Sequence, residues 1–509
     1  MRQFFKLLIQ YKFLVVALFV VIAGFGYQAY REIPVDAFPD ITPKQVVIYT
    51  ESPGNSAEDI EKLITYPIES AMAGLPGVKM ILSNSIFGLS YVSIFFEDSY
   101  DTYFLRQLVT ERLNSVDIPK GWGKPVMGPN TTGLGQVFWY QIKDRSGKLS
   151  LTDLRELQEY VVAPMLKAVN GVEEVISWGG FKKQYEVVID PKRLQALGVT
   201  YDEIIEALQR ANQSAGGQYL EMNQEQYLIR GSGFYQSIND IKNTVVREKE
   251  AKAVTIGDIA DVRIGKAPRF GAVTIDGKET MFGMVLQRSA TNAAEVVKKI
   301  KEKLPLVNTA LPEKVEIHTI YDRTEITHKA INTMTSALMS GAILVAIVLF
   351  LFLFEFRSAF IVIISLPLSL LIAFLLMKHY GISANLMSLS GLAIAIGMIV
   401  DGTIVVVENA FRLLHDKSKE SRLEIISKAS AEVAKPVIFA LLIIAAVFMP
   451  LLSLSGLAGK LYTPMAINIV FVMLGSLAVA MLLVPVLSFL MLKPVKHGVS
   501  PIMMAIKKA

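Results

Sequence analysis

The sequence predicts an α+β membrane protein, in which six transmembrane helices carry one large insert of α/β subdomains. The chain of 509 residues is 52% hydrophobic and 19% charged, so it is only slightly more apolar than a typical soluble protein. That excess is concentrated in residues 334–490 and in one stretch near the N-terminus. The residues between these parts alternate between strand and helix patterns, as a soluble domain does.

Each predicted transmembrane helix is an apolar run near the length of about 20 residues that a spanning helix needs. The first run, 13–30, is long for a signal peptide and precedes no small-residue cleavage site, so we interpret it as a retained helix. The other five runs are 335–354, 359–377, 386–411, 436–452 and 466–487.

Basic residues predict the orientation of these helices. Six helices place both termini on one side, and Lys and Arg are enriched before the first helix, in the connector after the fourth and in the C-terminal tail. Cytoplasmic loops carry such an excess. We therefore expect both termini in the cytoplasm and the insert of about 300 residues outside.

The insert contains a repeated β-α-β-β-α pattern, which is typical of ferredoxin-like split βαβ units. In the first copy Ser56-Ala-Glu-Asp59 predicts a helix N-terminus, and the helix stops at Leu75-Pro-Gly-Val78. In the second copy Asn170-Gly-Val172 repeats that turn, and we expect 173–178 and 184–189 to pair as strands. A more polar stretch to about residue 270 predicts an inserted subdomain.

The residue inventory argues against several other kinds of protein. The chain has no cysteine, which excludes disulfides and thiolate metal sites, and its five histidines show no paired spacing. No nucleophile–base pair or phosphate loop indicates an enzyme. The basic residues form no stripe that would indicate a nucleic-acid partner.

Two carboxylates interrupt the apolar pattern of the fourth predicted helix. Asp401 and Glu408 are seven residues apart, nearly two turns, so they share one helix face. A carboxylate at membrane depth costs about 2.5–3.5 kcal/mol, which favours a functional role, and we predict a proton relay. Alternatively, Glu408 marks the cytoplasmic end of the helix beside Asn409 and Arg412. The alternative for Asp401 is a static ion pair with a lysine of a neighbouring helix, although no lysine lies centrally in the other five helices.

Methionines are the candidate metal ligands. The chain has 20, of which Met387, Met398 and Met473 lie in or near the predicted spans. Thioethers are soft ligands that select Cu(I) and, by the same softness, Ag(I). Packing in apolar helices is the alternative role of these side chains.

Several segments together resemble the N-terminal half of heavy-metal efflux pumps of the resistance-nodulation-division (RND) superfamily. They cover nearly the whole chain. They are Pro34-Val-Asp-Ala-Phe-Pro-Asp-Ile-Thr-Pro43, Tyr66-Pro-Ile-Glu69, Gly74-Leu-Pro-Gly-Val78, Gly133-Leu-Gly-Gln-Val-Phe-Trp-Tyr140, Phe356-Arg-Ser358, Gly397-Met-Ile-Val-Asp-Gly402 and Val407-Glu-Asn409.

This resemblance implies a proton antiporter of the bacterial inner membrane, working as a trimer with a periplasmic adaptor and an outer-membrane channel. It also implies a domain division. We expect a cytoplasmic N-terminus with the first helix (1–35), porter subdomain 1 (36–133), porter subdomain 2 (134–178 and 271–330), a docking subdomain (179–270), helices two to six (331–490) and a cytoplasmic tail (491–509).

The resemblance also assigns roles to single residues. Asp401 falls on the family's essential fourth-helix aspartate, and Glu408 on its second acidic position. Met387 and Met473 match methionine positions of the copper/silver branch, whereas Met398 is one residue off. Ala395 stands where the divalent-cation branch has a further aspartate, so Cu(I)/Ag(I) is the predicted cargo, with no resident cofactor. The pair Asp401-Gly402, however, is similar to the divalent branch.

Family members are about twice as long as this chain. We therefore expect its partner to be a second-half chain or a second copy of itself, unless the chain is a truncated product. A divalent-cation exporter, a multidrug exporter and a half-size RND protein that assists export or assembly remain alternatives.

Overall fold

The structure is a computed structural model that describes residues 1–222, 225–249, 252–269, 271–353, 355–416 and 420–493. The chain begins with a short amphipathic helix, α1 (Arg2–Gln10), and the first long apolar helix, α2 (Lys12–Glu32). The predicted tail 491–509 lies mostly outside the described residues.

The first outer unit is a four-stranded antiparallel sheet with the order β2-β3-β1-β4, covered by helices on one face. Alternate side chains of β1 are buried, so its inner face packs on the helices. Its elements are β1 (Gln45–Glu51), α3 (Ala57–Ile60), α4 (Tyr66–Met72), β2 (Val78–Ile86), β3 (Leu89–Phe96), α5 (Thr102–Leu113) and β4 (Val126–Met127). All seven lie within 36–133.

The second outer unit is a five-stranded sheet with the order β13-β14-β5-β15, in which β6 also pairs with β14. Its elements come from two stretches of the chain: β5 (Gln136–Asp144), α6 (Leu151–Leu157), α7 (Ala163–Lys167) and β6 (Val172–Gly179), and then β13 (Val273–Ile275), β14 (Lys278–Gln287), α12 (Ala293–Ala310) and β15 (Val315–Asp322).

The first helix of each unit shows the same irregularity, which supports the predicted repeat. A π-helical turn, Glu61–Thr65, joins α3 to α4, and another, Gln158–Val162, joins α6 to α7. In both units a proline follows the π turn by two residues, Pro67 and Pro164. Because proline lacks an N–H, it disturbs the regular hydrogen-bond ladder of the preceding turn.

The inserted subdomain shows that one expected strand pairing is wrong. The stretch 173–178 lies in β6, which pairs with β14, whereas 184–189 lies in β7 and pairs with β12. Gly179 and Gly180, with φ of 73° and 66°, turn the chain out of the sheet between the two strands. The elements are β7 (Lys183–Ile189), α8 (Pro191–Leu197), α9 (Tyr201–Ala211), β8 (Ser214–Met222), β9 (Glu225–Ser232), α10 (Ile238–Lys242), β10 (Val245–Lys249), β11 (Lys252–Thr255), α11 (Ile256–Ile259) and β12 (Ala260–Lys266).

The described residues form six helices long and apolar enough to cross a membrane, and each coincides with one predicted run, although the second run, 335–354, ends one residue outside the described part of its helix. After α2 they are α13 (Arg323–Leu353), α14 (Phe356–His379), α15 (Leu386–Asp416), α16 (Arg422–Leu452) and α17 (Gly456–Ala478), which continues through a π turn (Val479–Leu483) into α18 (Val484–Met491). The α+β membrane fold class is thereby confirmed.

The helices are longer than their apolar runs. The fifth begins at Arg422, with Ser421 capping its N-terminus, and not at residue 436, because Pro436 lies inside the helix. Neighbouring helices can accommodate such an internal proline in a membrane.

Close contact between α2 and α14 depends on a glycine. A Cβ atom at Gly26 would lie 2.7 Å from both the Cβ atom and the carbonyl oxygen of Leu371. Small residues let spanning helices approach in this way. Two residues earlier in the same helix, a Cβ atom at Gly24 would have no atom of another segment within 4 Å.

We predict that Gly26→Val lowers the free energy of unfolding by about 1–3 kcal/mol, because the added side chain forces α2 away from α14. The measurement is thermal unfolding of the detergent-solubilised protein. Gly24→Val adds the same side chain to the open face and serves as the control. Equal losses in both variants would contradict close packing at Gly26.

Candidate functional site

Helix α15 has one exposed face, and both predicted relay residues lie on it. Along the helix the exposed positions recur every three or four residues, which is one side of an α-helix. We call the central part of this face the carboxylate stripe: Ile394, Gly397, Asp401, Val405 and Glu408; the exposed Arg412 and His415 continue the face toward the helix end. It confirms that the two carboxylates share a face.

The other faces of α15 are held by its neighbours α13, α14, α16 and α17. Thr403 is fully buried and its Oγ1 accepts a hydrogen bond from Ser365 of α14 at 3.3 Å. Asn409 donates from Nδ2 to the carbonyl oxygen of Ala429 in α16 at 2.9 Å. The remaining buried positions of α15 are mostly Leu, Ile, Val and Ala, and the two carboxylates lie on the exposed stripe.

Neither Asp401 nor Glu408 forms an ion pair or a hydrogen bond with another described residue. Glu408 is not at the helix end, since α15 continues to Asp416. Its neighbours Asn409 and Arg412 bind each other, with Arg412 Nη2 donating to Asn409 Oδ1 at 2.8 Å. Two exposed carboxylates on an apolar helix therefore call for water or a cationic partner on the stripe.

The three candidate methionines are not in one place. Met387 and Met398 are partly exposed and eleven residues apart, which is about three turns, so they border the carboxylate stripe. Met473 of α17 is only 2% exposed and lies in the core of the helical bundle. Among the described residues no cluster of three or more His, Asp or Glu could hold a metal ion.

Sequence reasoning missed Asn468 in α17. The residue is fully buried, and neither its Oδ1 nor its Nδ2 has a hydrogen-bond partner in the described part of the chain. It lies about one turn beyond Met465, whose carbonyl oxygen is close to Gly391 of α15, so helical periodicity places it on the side of α17 that faces α15. An asparagine within an apolar run is the sequence signal that could have revealed it.

The membrane helices are tied to the outer units by charged contacts. Lys460 of α17 pairs with Asp98 at 2.7 Å and donates to the carbonyl oxygen of Thr42. Arg323, at the start of α13, pairs with Asp36 at 2.8 Å. These contacts connect the sixth and second spanning helices to the porter region.

A cavity of about 290 Å³ lies at this junction. Its lining includes Asp40, Lys44, Asp98 and Lys460, together with the buried Asn130. Two lysines beside two carboxylates make the cavity polar, and its lining offers no thioether or imidazole to a soft metal ion.

Comparison with known proteins gives consistent matches. A family model described as the AcrB/AcrD/AcrF family matches residues 4–505. The cobalt-zinc-cadmium resistance protein CzcA of Cupriavidus metallidurans is 40% identical over 494 residues, which cover 94% of this chain and 46% of that protein. The cation efflux system protein CusA of Escherichia coli K12 is 40% identical over 467 residues, 89% of this chain and 44% of CusA.

The fold matches as well. A crystal structure of a heavy metal efflux pump aligns with a TM-score of 0.86 and 33% identity, covering 94% of this chain and 48% of that one. The chain thus spans less than half the length of these curated relatives.

Proposed function

The chain belongs to the AcrB/AcrD/AcrF family, among its RND heavy-metal efflux transporters, and we propose that it forms the N-terminal half of a proton-driven metal-cation exporter. One observation carries this proposal: Asp401 and Glu408 lie unpaired on the exposed face of an otherwise apolar spanning helix. Such residues in spanning helices mark ion or proton pathways.

The stripe acts as the proton-carrying surface. Asp401 in its charged form needs water or a cation beside it, whereas the protonated form tolerates apolar packing. Uptake and release of a proton therefore change which packing of α15 is favourable. That coupling of protonation to helix position is what an antiporter requires.

The stripe is covered by a second six-helix unit, either a second-half chain or a second copy of this one. Ile394 and Val405 place apolar area around Asp401, which suits helix packing, and a basic side chain from the covering unit neutralises the carboxylate. Packing of two related halves is common in transporters.

The exported ion is Cu(I) or Ag(I), and Met387 and Met398 beside the stripe support this choice. Ala395, fully buried, supplies no hard ligand. The second candidate is a divalent cation, which is favoured by the 40% identity to the cobalt-zinc-cadmium protein, equal to that with CusA.

The pump resides in the inner membrane with both termini cytoplasmic, and works as a trimer with a periplasmic adaptor and an outer-membrane channel. The β8–β9 hairpin supports assembly with other chains. All its described residues are exposed, including the apolar Tyr219 and Leu228. A projecting hairpin with apolar side chains is suited to contact another subunit.

We predict that Asp401→Asn abolishes metal resistance in cells that express the complete pump, because the amide cannot exchange a proton. Asp401→Glu keeps the carboxylate and should retain part of the resistance. Both variants should reach the membrane in wild-type amounts, measured by immunoblot. Full resistance with Asp401→Asn would refute the relay.

Replacing the two matched methionines tests the cargo. Met387→Ile combined with Met473→Ile should lower the Cu(I) or Ag(I) concentration that cells tolerate, with little change for Zn²⁺ or Co²⁺, because the thioethers are lost. Met377→Ile is the control for lost core packing, because Met377 of α14 is as buried as Met473. Unchanged tolerance would remove these residues from the path.

A single-cysteine variant identifies what covers the stripe, since the chain has no cysteine of its own. If a second copy covers it in a two-fold arrangement, Val405→Cys should cross-link to itself in membranes. Ile443→Cys, on the exposed side of α16, is the control and should stay monomeric. Absence of the dimer in both variants would favour a second-half chain.

A further inference from the structure

Three basic side chains converge at the end of the helical bundle that carries the N-terminus. Lys12 begins α2, Arg422 begins α16, and Arg357 lies in the first turn of α14. The ring of Phe489 in α18 lies between two of them, with its centroid 5.0 Å from Lys12 Nζ and 5.3 Å from Arg422 Cζ. We call these three cations the basic cluster.

Within the cluster Arg422 keeps one unused hydrogen-bond donor. Arg422 donates from Nη2 to the carbonyl oxygen of Leu492, but its Nε is buried without a hydrogen-bond partner. Arg357 is close enough for its like charge to act on Arg422.

Two carboxylates near this end, Glu424 and Glu355, have other described partners. Glu424 pairs with Lys6 at 3.2 Å, and Glu355 caps α14 by accepting from Ser358. Neither of these two carboxylates forms a salt bridge with a cation of the basic cluster. Like charges held this close repel each other, so an anion bound among them is stabilising.

The surroundings of the cluster are apolar and exposed. Phe13 and Leu14 follow Lys12 in α2 and are 75% and 65% exposed. Helix α1 buries Phe5 and Ile9 against the bundle but exposes Phe4 and Leu7. A helix of this kind lies at the boundary between headgroups and acyl chains. These surroundings favour an anion that carries an apolar tail.

We propose that the basic cluster binds the phosphate headgroup of an anionic phospholipid, whose acyl chains pack on the exposed apolar side chains of α1 and α2. Guanidinium groups bind phosphate through planar, charge-assisted hydrogen bonds, and the ammonium group of Lys12 adds a point charge. Basic pockets between spanning helices bind such headgroups.

The bound lipid contacts three helices, α2, α14 and α16, whose N-terminal ends are far apart in the sequence. Two of them, α14 and α16, pack directly against α15. Occupancy of the site therefore stabilises the arrangement that holds the carboxylate stripe. This role is independent of the metal and of the proton pathway.

The test uses the purified full-length chain in phosphatidylcholine nanodiscs with increasing fractions of phosphatidylglycerol. Thermal unfolding and native mass spectrometry report stabilisation and lipid retention. Lys12→Gln and Arg422→Gln remove one cation each, and Arg422→Lys keeps the charge but not the planar group. Arg31→Gln removes a charge from the opposite end of α2 and is the matched control.

We expect phosphatidylglycerol to raise the unfolding midpoint of the wild type and of Arg31→Gln. Lys12→Gln and Arg422→Gln should weaken its binding by about tenfold, the effect of one lost charge-assisted bond, and Arg422→Lys should weaken it less. Should Arg422→Gln fail to fold, Lys12→Gln, at a partly exposed site, still decides the result.

Two results would overturn the proposal. One is an equal response of Arg31→Gln and Lys12→Gln to phosphatidylglycerol. The other is equal stabilisation by soluble glycerol phosphate, which would indicate a site for a free phosphate monoester and not for a lipid.

Discussion

The organisation of this protein depends on the desolvation cost of two carboxylates in an apolar helix. Asp401 and Glu408 lie at positions where insertion into hydrocarbon costs several kcal/mol per charge. The inward faces of α15 are filled mostly by Leu, Ile, Val and Ala side chains, together with Thr403 and Asn409, and the two carboxylates lie on the outside of the six-helix unit. That face is unsuited to lipid, which is the reason for our proposal that a second unit covers it.

The same helices are mechanically continuous with the outer region. Strand β15 ends at Asp322 and α13 begins at the next residue, so no linker separates a porter sheet from the second spanning helix. The pair Arg323–Asp36 reinforces this junction, and the pair Lys460–Asp98 adds a contact between α17 and the first outer unit. These short, polar connections are the route by which the helix shift that we propose would reach the outer units.

Much of this architecture follows from local pattern. The six apolar runs, the repeated β-α-β-β-α order and the shared face of Asp401 and Glu408 are properties of spacing, which an α-helix or a strand converts directly into geometry. Two predictions, a helix start and a strand pairing, were wrong because the local sequence pattern did not reveal the tertiary arrangement. Pro436 resembles a helix start but lies inside α16, and the adjacent strands β6 and β7 belong to different sheets.

The sequence by itself determined which residues are chemically unusual: carboxylates and methionines in apolar helices, no cysteine and few histidines. Only the tertiary structure decided where they face. It places Asp401 and Glu408 on an open stripe with Met387 and Met398 at its border, buries Met473, and leaves Asn468 without a described partner. The reason is that periodicity relates residues within one helix, whereas the direction of a face depends on the packing of neighbouring helices.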